Sequence, residues 1–140
     1  MQISAKIDYA CRAILELALH WPNKKPLQVT EIAAKQKIPI QFLTHILISL
    51  KHLGYVKSVR GKQGGYLLIK APDRINLKDI LLGLGMHRFV TLELRTDKGN
   101  VIQRMWNEVE AMVLGKFEQI SFETLVTRKK LSENIASFEI

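Results

Sequence analysis

The sequence predicts a mainly α-helical fold with one small β-hairpin, and three observations predict it. Apolar side chains recur at helical spacing near the N-terminus, over residues 40–50 and again from residue 101. The stretch SVRGKQGGYLLIK, residues 58–70, sets two β-branched or aromatic runs around a loop holding three glycines. Its 140 residues, 47% hydrophobic and 24% charged, suffice for a single cored domain with an appended segment.

Residues 4–20, SAKIDYACRAILELALH, place Ile7, Ala10, Cys11, Ile14, Leu15 and Ala18 on one helical face. Ser4 is suited to the N-cap, Asp8 to the early turns, and Pro22 in the polar WPNKKP stretch to the stop. After a short apolar piece, LQV, Thr30 can cap a second helix, EIAAKQK. Pro39 is placed to end that helix and open a third. Phe42, Leu43, Ile46, Leu47 and Leu50 form the expected buried stripe of this third helix, and Gly54 its stop. Helices joined by so few residues cross steeply, as in a helix-turn-helix.

Tyr55–Val59 and Tyr66–Lys70 read as strands joined by RGKQGG, whose glycines permit a positive-φ turn. Pro72 closes the hairpin, and a short fourth helix from Asn76 ends in LGLG. Residues 85–100 read either as a short strand around Phe89 to Leu94 or as an irregular loop. From Val101 a long helix carries Val101, Met105, Val109, Met112, Val113, Phe117 and Ile120 in a stripe widened by Ile102 and Trp106. Ser121 can cap a further helix, with Ile120 and Leu125 placed as a hydrophobic staple. The tail, RKKLSENIASFEI, is expected to be weakly ordered. The domain plan is a winged helix-turn-helix unit over 1–84, a connection over 85–100, dimerisation helices over 101–130 and a tail over 131–140.

Charge is divided unevenly. Residues 1–75 hold 12 Lys and Arg against 4 Asp and Glu, and residues 76–140 hold 9 of each, so the net +8 belongs to the first half. Such asymmetry suits a surface for nucleic acid or anionic membrane. Helix, helix-turn-helix and glycine-tipped basic hairpin is the order of a winged-helix DNA-binding domain, whose third helix fits the major groove while the hairpin reaches the minor groove or backbone. Arg60 would insert where a narrow minor groove concentrates negative potential, with Gly61, Gly64 and Gly65 kept small to allow its approach. On the third helix, Gln41, Thr44, His45 and Ile48 face away from the buried stripe. Gln can pair with adenine, Thr can contact a thymine methyl or a phosphate, and His45 suits either task. Lys51, Lys57, Lys62 and Lys70 suit phosphates.

The hairpin SVRGKQGGYLLIKAPDRINLKDIL resembles the S-x-R-G-x-x-G-G-Y-x-L pattern of the Rrf-type winged-helix transcription regulators, the family of IscR, NsrR and CymR. DYACRAILELAL, EIAAKQKIPIQFLTHILISLKHLGYV and MWNEVEAMVLGKFEQISFETLV extend the resemblance over nearly the whole chain. It implies a homodimer that binds a palindromic operator in double-stranded DNA. By position, the implied DNA contacts are Gln41, Thr44, His45 and Arg60, with Ser4, Lys6 and Tyr9 near the backbone; Ile48 and Lys51 on the third helix and Gly61, Lys62 and Gln63 on the hairpin complete the expected DNA-binding set. The implied dimer face is Val101, Met105, Trp106, Val109, Met112, Val113 and Phe117. Many members carry an iron–sulfur cluster on three cysteines before the long helix, but here that segment, LRTDKGNVIQR, has none. No cofactor and no metal are expected. Cys11 is read as core, with thiol sensing as the alternative. His20, His45, His52 and His87 show no paired ligand spacing, although His45 and His52 stand two turns apart.

An enzyme finds little support, since there is no P-loop, no HExxH and no nucleophile with an evident base. The expected protein is therefore a cytoplasmic, homodimeric repressor without a cluster, the N-terminus MQISAKIDYA lacking a cationic-then-apolar signal segment. No stretch approaches the roughly 20 apolar residues of a membrane span. Two alternatives stand beside it: a winged helix turned to protein interaction, and a DNA-binding regulator that senses a small-molecule effector or thiol oxidation.

Overall fold

The first helix starts where its cap demands. The Ser4 hydroxyl accepts a hydrogen bond from the Ile7 amide at 3.3 Å and opens α1, Ala5–Leu19. The computed structural model describes residues 2–22, 25–86 and 100–138, the side chains of 137 and 138 excepted. After α1 come α2 (Val29–Gln36), α3 (Ile40–His52), β1 (Val56–Val59), β2 (Gly65–Leu68), a 3-10 turn over Pro72–Arg74, α4 (Leu77–Gly83), α5 (Val101–Glu118) and α6 (Phe122–Phe138). β1 and β2 pair antiparallel with Val56 opposite Leu68 and Val59 opposite Gly65. Leu27 adds a third, bridge-length strand by exchanging both backbone hydrogen bonds with Tyr66, at 3.0 and 2.8 Å. The result is the expected winged helix-turn-helix, followed by two long helices.

One core organises these elements. Ala10, Ile14 and Leu17 of α1 meet Ile32 of α2, Leu43, Leu47 and Leu50 of α3, Val56 of β1 and Ile80 of α4. Phe122, at the first position of α6, is fully buried in this same core. Backbone bonds hold it there: Leu77 donates to the Ile120 carbonyl and Phe122 to the Ile75 carbonyl, each at 2.9 Å. Ser121 caps α6 as expected, accepting from the Thr124 amide at 3.1 Å. The last two helices are thus anchored to the first 84 residues at the α5–α6 turn. A smaller cluster sets Val113, Leu114 and Phe117 of α5 against Ile7 of α1 and Leu81 of α4.

Several local expectations are corrected. Thr30 does not cap α2, because the helix starts two residues earlier, at Val29, with Gln28 in the cap position. Pro39 does not end α2 either. Lys37, left-handed at φ 54°, ends it, and Pro39 stands in the cap position of α3. Phe42 is not in the buried stripe but 59% exposed, since only Leu43, Ile46, Leu47 and Leu50 lie on the arc that α1, α2 and β1 cover. Residues 131–138 are no weakly ordered tail, for α6 runs through them to Phe138. The strand or loop expected within 85–100 falls mostly outside the described residues.

Because Phe122 packs into the core of the winged unit from outside its sequence range, its truncation tests the linkage directly. Phe122→Ala is expected to cost about 3–5 kcal/mol, measured as a lower urea midpoint in one transition shared by all optical probes.

Candidate nucleic-acid interface

Burial of one side of α3 dictates what the other side shows. With Leu43, Leu47 and Leu50 at zero exposure, Gln41, His45, Ile48 and His52 fall on the opposite side of a 3.6-residue helix and are exposed. Phe42 flanks this strip toward α1, where its ring lies 6.4 Å from that of Tyr9 at 45°. Thr44 and Lys51 flank it toward the hairpin. The Thr44 hydroxyl donates to the Ile40 carbonyl at 3.0 Å, and the Lys51 ammonium donates to the Ser58 hydroxyl on β1, also at 3.0 Å. Helix and hairpin therefore form one continuous surface.

Arg60 leaves β1 at the tip of the hairpin and is exposed, as are Gly61, Lys62 and Gln63. The turn closes with the Gly64 amide donating to the Gly61 carbonyl at 3.0 Å. The glycines have a different reason from the one the sequence suggested. A Cβ on Gly64 would strike the Val59 and Gly61 carbonyls, and one on Gly65 would strike the Leu27 carbonyl. Both are small because the hairpin folds against its own backbone and against Leu27. Only Gly61, at φ 112° with open space around it, leaves room for an approaching partner. Gln28 also steadies the tip, its side-chain amide donating to the Lys62 carbonyl at 3.3 Å.

The electrostatics of this surface follow from composition. No Asp or Glu occurs between Glu31 and Asp73, whereas that span holds Lys35, Lys37, Lys51, Lys57, Arg60, Lys62 and Lys70. Lys57, Arg60 and Lys62 are exposed, and Lys70 lies over the Tyr55 ring at 5.0 Å. At the start of α1, Lys6 is exposed and Tyr9 half-buried, while Ser4 is committed to its cap. Between α1 and α3 runs a groove of about 590 Å³ lined by Lys6, Tyr9, Phe42, His45 and Ile48 among others. Of the positions singled out from sequence for DNA, all but Tyr9 are exposed, and they gather on α3, the hairpin tip and the α1 start. Phe42 was missed because its place in the helical repeat borders the buried arc. The Leu27 bridge was missed because a single ladder position leaves no alternating pattern.

A second exposed surface lies on α5, none of whose residues is buried. Val101, Met105, Trp106, Val109 and Met112 are exposed, Val101 at 69% and Met112 at 75%. Val113 and Phe117 are partly covered by the protein's own α1 and α4. No described helix is long and apolar enough to cross a membrane.

A family model described as Rrf2, iron-dependent transcriptional regulator, matches residues 3–128. A Synechocystis sp. protein assigned as an HTH-type transcriptional regulator is 43% identical over 84 residues, 60% of this chain and 56% of that protein. The chain spans about half the length of the first such relatives it matches. The HTH-type transcriptional regulator IscR of Photorhabdus laumondii is 26% identical over 140 residues, with 94% of this chain and 82% of that protein covered. Among solved structures, CymR, the global cysteine regulator of B. subtilis, superposes with TM-score 0.82 at 26% identity, covering 91% of this chain and 98% of that one. IscR of T. potens gives TM-score 0.77 at 28% identity, covering 92% and 88%.

A cysteine-ligated iron–sulfur cluster does not fit the donors present. The chain has one cysteine, and among the described residues no three His, Cys, Asp or Glu side chains gather where a metal could bind. Cys11 packs at the junction of the two core clusters. Burial first, and then the Asp8 carboxylate one turn away, push its thiol up to about 12. A neutral thiol is a poor nucleophile and a poor ligand. At pH 8 the native protein is therefore expected to react with iodoacetamide on the order of 100-fold more slowly than a free cysteine. Unfolding in urea should restore the ordinary rate, as followed by intact mass, and rapid labelling of the native chain would revive the thiol-sensing alternative.

Proposed function

The chain belongs to the Rrf2 family, and on that premise we propose that it is a sequence-specific DNA-binding transcriptional regulator. In this reading it is a cytoplasmic homodimer that represses by occupying a palindromic operator. The observation that carries the proposal is the junction of α3 and the hairpin. Lys51 at the end of α3 is bonded to Ser58 of β1, two residues before the exposed Arg60, and helix and hairpin alike come from a stretch with no acidic residue. A helix of this width enters the major groove, and a cationic tip beside it reaches the next minor groove or the backbone. Gln41, Thr44, His45 and Ile48 face base edges; Lys51, Lys57 and Lys62 meet phosphates, with Ser4, Lys6 and Tyr9 bordering the backbone on the far side of the groove.

The homodimer rests on α5. A row of large apolar side chains left open to water is what a partner helix would cover. A second copy presenting the same row gives a two-fold seam centred on Val101, Met105, Trp106, Val109 and Met112, with Val113 and Phe117 at its inner edge. Two-fold symmetry would then set two α3 helices about 34 Å apart, one turn of duplex. A winged helix devoted to protein interaction would need neither an acid-free surface nor an arginine at the tip.

Selection from a random duplex library is expected to return an inverted repeat, with log affinity falling by roughly 0.9 per phosphate neutralised for each tenfold rise in salt. Arg60→Ala should reduce the preference for the selected site over random duplex, whereas Lys62→Ala should weaken both alike and flatten the salt slope by about one. Equal losses on all duplexes for Arg60→Ala would remove its reading role. Trp106→Asp is expected to give monomers in light scattering and to lower operator affinity at least about tenfold. An unchanged dimer mass would remove the seam.

A further inference from the structure

We infer that the half-site read by α3 is built of A·T pairs recognised through thymine methyl groups, with Phe42 and Ile48 as the methyl-contacting residues and Gln41 as the adenine partner. This inference rests on α3 being the helix that enters the groove. It concerns what that helix can distinguish once there.

The major groove offers a limited chemical vocabulary. Guanine shows O6 and N7 to a forked cation, cytosine offers N4 to a carboxylate, adenine pairs N6 and N7 with an amide, and thymine projects a C5-methyl. The outward residues of α3 are Ile40, Gln41, Phe42, Thr44, His45, Ile48, Lys51 and His52. No arginine is among them, and no carboxylate. The one lysine stands in the last turn with its ammonium on Ser58. The first two turns, which dock deepest, therefore hold nothing that singles out guanine or cytosine by a bidentate or acidic contact. Imidazole does not repair this, because His45 can donate to N7 of either purine. Nor does Thr44 offer a free donor: its hydroxyl is already donating to the Ile40 carbonyl.

What remains is an amide and an apolar surface. Phe42 and Ile48 are 59% and 43% exposed, bordering the same groove against α1. The Tyr9 ring lies beside Phe42, at 6.4 Å between centroids, and restricts it on one side, which lowers the ordering cost of using it. Apolar exposure on this scale could also serve a protein partner. The surroundings decide between them: Lys6 lines the same groove, Lys51 flanks α3 on its hairpin side, the hairpin exposes Lys57 and Arg60, and no acidic residue lies between Glu31 and Asp73. Asp8 of α1 is paired with Arg12 at 2.9 Å, so the charge left uncompensated around the apolar centre is cationic, which matches a polyanion whose groove carries methyl groups.

The test replaces thymine by uracil one position at a time in the selected operator, which deletes the methyl and leaves base pairing intact. Full-length protein is titrated by fluorescence anisotropy. The expected result is A·T at the positions beneath α3, and a loss of about fourfold for each contacted methyl removed. That loss should disappear in Phe42→Ala for one thymine and in Ile48→Ala for another. Both side chains are exposed, so both variants should fold, as circular dichroism will show. A selected site with G·C at those positions, uracil scanning without loss, or a loss that persists in both variants would overturn the inference and leave the regulator reading standing. Binding without sequence preference would overturn both, and would favour the protein-interaction alternative.

Discussion

The structure depends on one packing constraint: a single face of α3 is sealed into the core. Leu43, Leu47 and Leu50 have no exposed surface, and Ile46 almost none. Burying side chains of this size contributes roughly 1.5–3 kcal/mol each, so the helix cannot roll about its axis without forfeiting most of that. Its opposite face is consequently fixed toward solvent with a definite sequence. The orientation is reinforced at both flanks, by Phe42 against Tyr9 and by Lys51 bonded to Ser58. What the helix presents is therefore determined before any partner is met.

The hairpin obeys a related logic. Its tip could hardly stand away from the body as two short strands alone, since isolated hairpins are marginal in water. It is held by Leu27, which adds its backbone bonds to Tyr66, and by Gln28 reaching the Lys62 carbonyl. This closeness excludes a side chain at Gly65. The glycines thus serve the fold first. They benefit Arg60 indirectly, by closing its loop into a narrow turn.

Much of this was legible in the sequence, and the losses have identifiable causes. The helical repeats of α1, α3 and α5 were legible because each buries a continuous stripe, and the Ser4 and Ser121 caps because a hydroxyl three residues before an amide is a local signal. Phe42 was misplaced because periodicity gives the centre of a buried arc but not its edges. Thr30 was misplaced because cap preference is weak beside tertiary packing, and α2 starts two residues sooner. α6 was cut short because its polar composition lacks a stripe, and its helix continues past the packed segment. For the candidate site, the exposed residues of α3 followed from the buried ones, whereas the role of Gly64 and Gly65 could not be known without the path of Leu27.

The proposed dimer face and the proposed DNA face are joined through rigid contacts, and this bears on how such a protein could read a two-part site. α5 lies on α1 and α4 through Val113, Leu114 and Phe117, and the turn after it is tied by backbone bonds to the segment preceding α4. Phe122 then shares its core with Leu43 and Leu47. A seam on the exposed part of α5 would therefore fix not only the pairing of two copies but the angle at which each presents α3. Half-site spacing becomes a property of the crossing of two α5 helices. With close-packed interiors transmitting small displacements rather than absorbing them, a shift of α5 by a fraction of a turn would move both α3 helices out of register with the duplex. The chain lacks the cysteines of a cluster, so control of DNA binding, where it exists, has this mechanical route available to it through the seam.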